Sequence, residues 1–162
     1  AHNLYTSYRS YGHNLPAWIV NGLAWRHARR VSVRFPIYDL RGDDNADGTH
    51  YATWAKRWPA LLRNSKFAPL ATFVERMDVN GFLMDDHLQC WALTDWLMTQ
   101  HPRATARFLH RMKDPFHERL RFPTNEELMQ RQRTAMQEAF GVDAAGLEEL
   151  WRRLPITQVA RR

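Results

Sequence analysis

The hydrophobic pattern divides the chain into short helical runs joined by turn-rich segments. Over residues 14–30 (NLPAWIVNGLAWRHARR), Trp18, Ile19, Leu23 and Ala24 recur near a 3.6-residue period, and Trp25 widens the apolar face. Asn14 suits an N-cap, and Pro16 suits a first turn, where a missing N–H costs nothing. Arg26, Arg29 and Arg30 fall in the last turns, where cations suit the helix dipole. The pattern predicts one largely buried helix. Asn21 and Gly22 are poor residues for its interior. Either Gly22 lets another element approach closely and Asn21 makes a satisfied core hydrogen bond, or the pair marks a functional position.

Further along, the pattern predicts more helices. A short one is expected over residues 4–11. Residues 31–40 alternate apolar and polar positions at first, which predicts an extended stretch that Pro36 confines to an edge or a loop. Over residues 49–64, Tyr51, Trp54, Ala55, Trp58 and Leu62 make a helical face, which Pro59 should kink or divide. Leu70, Phe73 and Val74 face inward from a short helix, and Asn80-Gly81 marks a turn. Residues 82–100, or a run starting nearer Asp85, carry Leu88, Trp91, Ala92, Trp96 and Met98 almost all round. That is the mark of a central helix. Asp95 sits among them and is expected to pair with a core arginine. Residues 103–112 place Phe108, Leu109 and Met112 on one side. Thr124 and Glu127 have capping-box spacing, Gly141 is a helix stop, and Asp143 caps a last helix carrying Leu147, Leu150, Trp151 and Leu154. The expected fold is mainly α: one multi-helix domain over residues 1–162, with a short extended edge segment near 31–40. No internal repeat is visible.

Composition sharpens this picture. In 162 residues, 44% are hydrophobic and seven are Trp, enough for a real core and unlike a disordered polypeptide. One cysteine, Cys90, excludes an internal disulfide framework, and its apolar helix predicts a buried, inert thiol. No apolar run is long enough to cross a membrane and no leader pattern is seen, which leaves the compartment open. The chain begins with Ala, as a processed product or a piece of a longer polypeptide would. The net charge is +6. Arg26, Arg29, Arg30 and Arg34 cluster, and a basic end follows at Arg152, Arg153, Arg161 and Arg162. Such patches bind phosphates in nucleic acid or on anionic surfaces. Because these residues are spread over several elements, nucleic-acid binding stands second among the functional expectations.

Candidate chemistry is sparse. In the acidic loop 41–49, Asp43, Asn45, Asp47 and Thr49 have the spacing of the first calcium ligands, with Gly48 at the sharp turn. Trp54 stands where the loop's bidentate Glu belongs, so a solvated turn capping the next helix competes with a calcium site. Asp85-Asp86-His87 is either a metal or acid/base cluster, or two carboxylates favoured by a helix N-terminus. His110 and Asp114 are spaced for an i, i+4 pair. No glycine-rich phosphate loop or nucleophile elbow is present.

Residues 15–24, LPAWIVNGLA, resemble the LPxWLxEGLA segment of gluzincin-type zinc metallopeptidases (peptidase MA-like). In that family the Glu is the third zinc ligand; here it is Asn21. An HExxH helix upstream supplies the other ligands and the general base. The matching segment, His2-Asn3-Leu4-Tyr5-Thr6, keeps His2 but has Asn3 for the base and Thr6 for the second His. Zinc wants imidazoles and a carboxylate, and the base must take a proton from metal-bound water; an amide does neither well. Two further segments resemble the same family. His87-Leu88-Gln89-Cys90-Trp91-Ala92-Leu93 with Leu97 follows its Y-x-Q-x-W-x-L-x-x-x-L helix. Phe140-Gly141-Val142-Asp143, with Leu147 and Trp151, follows its ending. The resemblance implies the C-terminal part of such a domain with a degenerate metal site and no metal cofactor. It would be a non-catalytic structural or binding subunit, its former substrate cleft either a packed interface or a ligand groove, and so apolar and Trp-rich a chain is expected to seek a protein partner. An active zinc peptidase with ligands outside this chain is the other implication.

Overall fold

Helix α4 (Met84–Gln100) is the axis of the fold, because every residue from His87 to Thr94 is buried. The computed structural model describes residues 15–31, 49–112 and 123–153. Among them are seven helices, 77% of the described residues, and no strand. The mainly α fold expected from the pattern is therefore observed. The others are α1 (Ala17–Val31), α2 (Thr49–Arg63), α3 (Leu70–Phe73), α5 (Pro102–Met112), α6 (Asn125–Phe140) and α7 (Ala144–Arg152). The expected helix over 4–11, the Asn14 cap and most of the loop 41–49 lie outside the described residues, as does the expected extended stretch 31–40 apart from Val31, which is helical. Val31 is the last residue of α1, and Thr49 is the first of α2.

Helix α1 packs along α4, and α2 and α5 also touch it. The Pro16 carbonyl receives the Ile19 and Val20 N–H groups at 3.2 Å each, and so opens α1. Trp18, Ile19, Leu23 and Trp25 are buried as the period predicts, while Ala24 is half-buried. Gly22 faces α4 where there is no room for a side chain. A Cβ there would lie 2.1 Å from Thr94 Oγ1 and 2.4 Å from the Cys90 carbonyl oxygen. Its place in the helix interior, costly by propensity, is thus explained by close helix–helix approach.

Helix α2 runs through Pro59 without dividing. The proline removes one N–H from the ladder, so the helix persists because tertiary burial of Trp54, Trp58 and Leu62 outweighs that loss. Thr124 and Glu127 form the reciprocal capping box of α6, at 2.8 and 3.2 Å. Gly141 ends it at φ 75°, a left-handed position that suits glycine. Asp143 caps α7 by accepting the Gly146 N–H at 2.8 Å.

One hydrophobic core draws on all seven helices. The seven tryptophans are all buried, none more than 8% exposed. Trp151 of α7 stacks on Trp58, Phe67 and Trp96 at centroid distances of 5.7–6.2 Å. Full burial of one large apolar residue contributes about 1.5–3 kcal/mol over exposure. The tryptophan content is thus accounted for by the interior and does not mark a partner surface. Among the described residues the exposed large apolar side groups are Val31, Val79, Leu83 and Leu150.

Candidate functional site

The candidate site lies at the buried α1–α4 interface. Asn21 and Trp25 are four residues apart, so both project from one face of α1. His87, in the first turns of α4, meets them. Its Nδ1 lies 3.3 Å from Asn21 Oδ1 and 3.4 Å from Trp25 Nε1. Nδ1 donates in the first contact and accepts in the second, so a given tautomer uses one of them at a time. With the Nδ1–H tautomer, His87 donates to Asn21. With the Nε2–H tautomer, it accepts from the Trp25 indole instead. Trp25 and Phe82 close the site, with ring centroids 5.9 and 5.7 Å from the imidazole. Burial pushes the His87 pKa below its usual value; Asp86 pulls it up and Arg76 pushes it down. The group is a neutral imidazole that hydrogen-bonds to a neutral amide.

The carboxylates beside His87 are occupied elsewhere. Asp86 Oδ2 accepts the Leu83 N–H at 2.8 Å, satisfying an orphan donor at the start of α4. Its other oxygen pairs with Arg76 at 2.9 Å, and that guanidinium also lies 4.3 Å from the Phe82 ring centre. Asp85 pairs with Arg57 at 3.2 Å. The Asp85-Asp86-His87 triplet therefore divides: two carboxylates serve the helix start and ion pairs, and the imidazole serves the core.

The arginines of α1 divide in the same way. Arg26 is buried and its Nε donates to Asp95 Oδ1 at 2.9 Å, the pair expected for Asp95. Arg29 is half-buried with its guanidinium 4.7 Å from the Trp91 ring centre, a cation–π contact. Arg30 is exposed, and Arg34 lies outside the described residues. Two of the three described charges are therefore held against protein.

For metals, the described residues contain no group of three or more His, Cys, Asp or Glu placed to hold an ion. His2, Asn3 and Thr6 lie outside the described residues, as do Asp43, Asn45 and Asp47. Thr49 begins α2. Cys90 is fully buried, and burial pushes its thiol pKa well up, which suppresses the reactive thiolate. A groove of about 950 Å³ runs beside α6, lined by Glu126, Gln130, Arg131 and Thr134 with Arg111 of α5. It shares no residue with the Asn21–His87 site. No described helix is long and apolar enough to cross a membrane.

Two buried glutamines were not anticipated as anchors. Gln132 accepts the Trp18 indole N–H at 2.7 Å and donates to the Val74 carbonyl at 2.8 Å, tying α6 to α1 and to the end of α3. Gln89 donates to the Ala68 carbonyl at 2.7 Å and accepts the Ala68 N–H at 3.1 Å. Gln89 had a sequence signal, a lone amide in an apolar run. Gln132, in a polar stretch, had none. Comparison of the sequence and fold with protein-family models, with curated proteins and with solved structures finds no match.

Proposed function

We propose that this chain is a peptidase-like helical domain that has lost metal-dependent hydrolysis and serves as a structural or binding subunit of a larger assembly. The observation that carries this is the engagement of Asn21. It stands where the resembled family has a zinc-binding carboxylate, is only 9% exposed, and has its amide against the neutral His87. A neutral amide–imidazole pair suits a metal-free interior, where an ionised carboxylate would be costly.

Contacts made by two of the family-like segments support the same ancestry. Gln89 holds the backbone of Ala68, next to Pro69-Leu70. The Leu70 N–H donates to Glu148 at 2.7 Å, and Trp151 stacks on Phe67. The positions that resemble the family are thus ones that build the core, and a scaffold can outlast its chemistry.

Elemental analysis of the purified protein, alongside its native mass, tests the proposal. Zinc well below one per molecule, with a mass above the monomer's or a co-purifying protein, is the expected result. One zinc per molecule, or metal-dependent peptide hydrolysis, overturns it.

A further inference from the structure

The tripeptide Val-Asn-Gly occurs twice, at Val20-Asn21-Gly22 and at Val79-Asn80-Gly81. The fold gives the two copies opposite surroundings. The first lies inside α1, with Asn21 and Gly22 both buried. Helical dihedrals hold the Gly22 nitrogen in the backbone ladder, and the Asn21 amide is engaged by His87. The second copy is an exposed turn between α3 and α4. The Phe82 N–H donates to the Val79 carbonyl at 3.0 Å, and Gly81 has φ 81° while Asn80 keeps a negative φ. That is a type II turn with Asn80 and Gly81 at its centre. The Asn80 backbone N–H donates to Asp78 Oδ1 at 2.7 Å. Among the described residues, neither the Asn80 side-chain amide nor the Gly81 N–H has a protein partner. A Cβ at Gly81 would meet nothing within 4 Å, so the space around the glycine is open.

We propose that Asn80 is a site of spontaneous deamidation in the folded protein, and that the fold protects Asn21 in the same tripeptide. The Gly81 main-chain nitrogen bonds to Cγ of Asn80. The bond from Cγ to the Asn80 amide nitrogen Nδ2 breaks, and Nδ2 leaves as ammonia carrying the proton from Gly81. Water then opens the cyclic imide at either carbonyl, giving aspartate or isoaspartate at position 80. Glycine favours the first step because no side group obstructs the attacking nitrogen. The attack needs the turn to swing open. Two weak tethers oppose that: the Phe82 to Val79 bond and a 3.2 Å bond from Arg76 to the Gly81 carbonyl. Exposed turns of this kind open at little free-energy cost, whereas exposing Asn21 needs α1 to come away from α4.

The product changes a turn that matters to the core. A new carboxylate enters beside Arg76, which now pairs with Asp86. Isoaspartate also lengthens the backbone next to Phe82, the ring that packs on Phe73 and on His87 at 5.9 and 5.7 Å.

Timed incubation of the purified protein at mildly alkaline pH, followed by peptide mapping at both asparagines, tests this. In the folded protein, conversion at Asn80 should outpace Asn21 by on the order of tenfold or more, the difference being the cost of opening α1. In urea the two sites should convert at similar rates. An Asn80→Ser variant should lose the slow mass gain of the folded protein. Asn80 staying intact when folded, while the urea-unfolded protein deamidates there, would overturn the proposal. So would equal rates at both sites in the folded state, or a mass gain that survives in Asn80→Ser.

Discussion

Gly22 and Thr94 touch without a side group between them: a Cβ on Gly22 would lie 2.1 Å from Thr94 Oγ1. The Cys90 carbonyl, 2.4 Å from the same point, is backbone and cannot rotate away. Gly22→Ala should therefore force α1 off α4. Overpacking of this sort costs about 1–3 kcal/mol. The roughly 1 kcal/mol that alanine gains in helix propensity offsets only part of it. Urea unfolding should show a lower midpoint at unchanged slope. Thr94 gives the opposite case. Its hydroxyl is fully buried and has no partner among the described residues, so Thr94→Val should be neutral or stabilising by about 1 kcal/mol. A loss of stability in Thr94→Val would mean that the hydroxyl has a partner in solution.

Protonation of His87 opposes folding in acid. Its pKa is lowered first by burial, so between the folded pKa and the ordinary 6.5 the unfolded state binds a proton that the folded state does not. Its contribution to stability is present in full above pH 6.5 and is lost as pH falls through that value toward the folded pKa. His27 is lowered too, by burial and then by Arg26 and Arg30, and adds a slope of the same sign. Chemical denaturation at a series of pH values should show stability falling on acidification, with a shallower fall in His87→Gln. Proton-detected titration of His87 should give a midpoint under that of a free histidine. A midpoint at or above it would show that the imidazole is not buried as a neutral group.

The helices and their caps were legible in the sequence because their causes are local. The Thr124–Glu127 box, the Gly141 stop and the Asp143 cap each need only neighbours within a few residues. The position of the candidate site was legible at Asn21 and Gly22, where helix propensity is violated inside an apolar face. What Asn21 meets was not legible. His87 is 66 residues away, and its imidazole could as well have served the adjacent aspartates. The Gln132 bond to Trp18 spans 114 residues, beyond any periodicity. Tryptophan abundance was legible as an apolar chain, but composition cannot say which side of a helix is covered, and all seven prove to be buried. Asp95 was readable as a paired charge because an ionised group on a mostly apolar helix needs a counter-ion.

That pair carries its own prediction. Arg26 has a side chain only 9% exposed, while that of Asp95 is 40% exposed. Removing the carboxylate leaves a buried guanidinium uncompensated. Fully buried pairs lose about 3–5 kcal/mol on such a change, and solvent at Asp95 reduces this to roughly 1–3 kcal/mol. Asp95→Asn should destabilise more than Arg26→Met, because methionine fills the space and removes the charge that needs a partner. Equal losses in the two variants, measured by thermal and urea unfolding, would make the pair a packing contact whose charges are well solvated.

Asn21→Glu separates a relic metal position from a core hydrogen bond most directly. If Asn21 is a core group, the Glu carboxylate, one methylene beyond the present amide, is carried against the His87 imidazole that Asn21 now meets. An opposite charge there favours the imidazolium and should raise the His87 pKa. The sign of the linkage then reverses. Once the folded pKa lies above 6.5, the His87 contribution is fully present below 6.5 and is lost as pH rises through the folded value. At alkaline pH the variant should be less stable than the parent by roughly 2–4 kcal/mol, with a buried carboxylate facing a neutral ring. Parent and variant should therefore show opposite pH trends in the same denaturation series, and neither should retain zinc after dialysis. A variant that binds zinc stoichiometrically and gains stability at alkaline pH would show that the other ligands of a metal site persist in the protein.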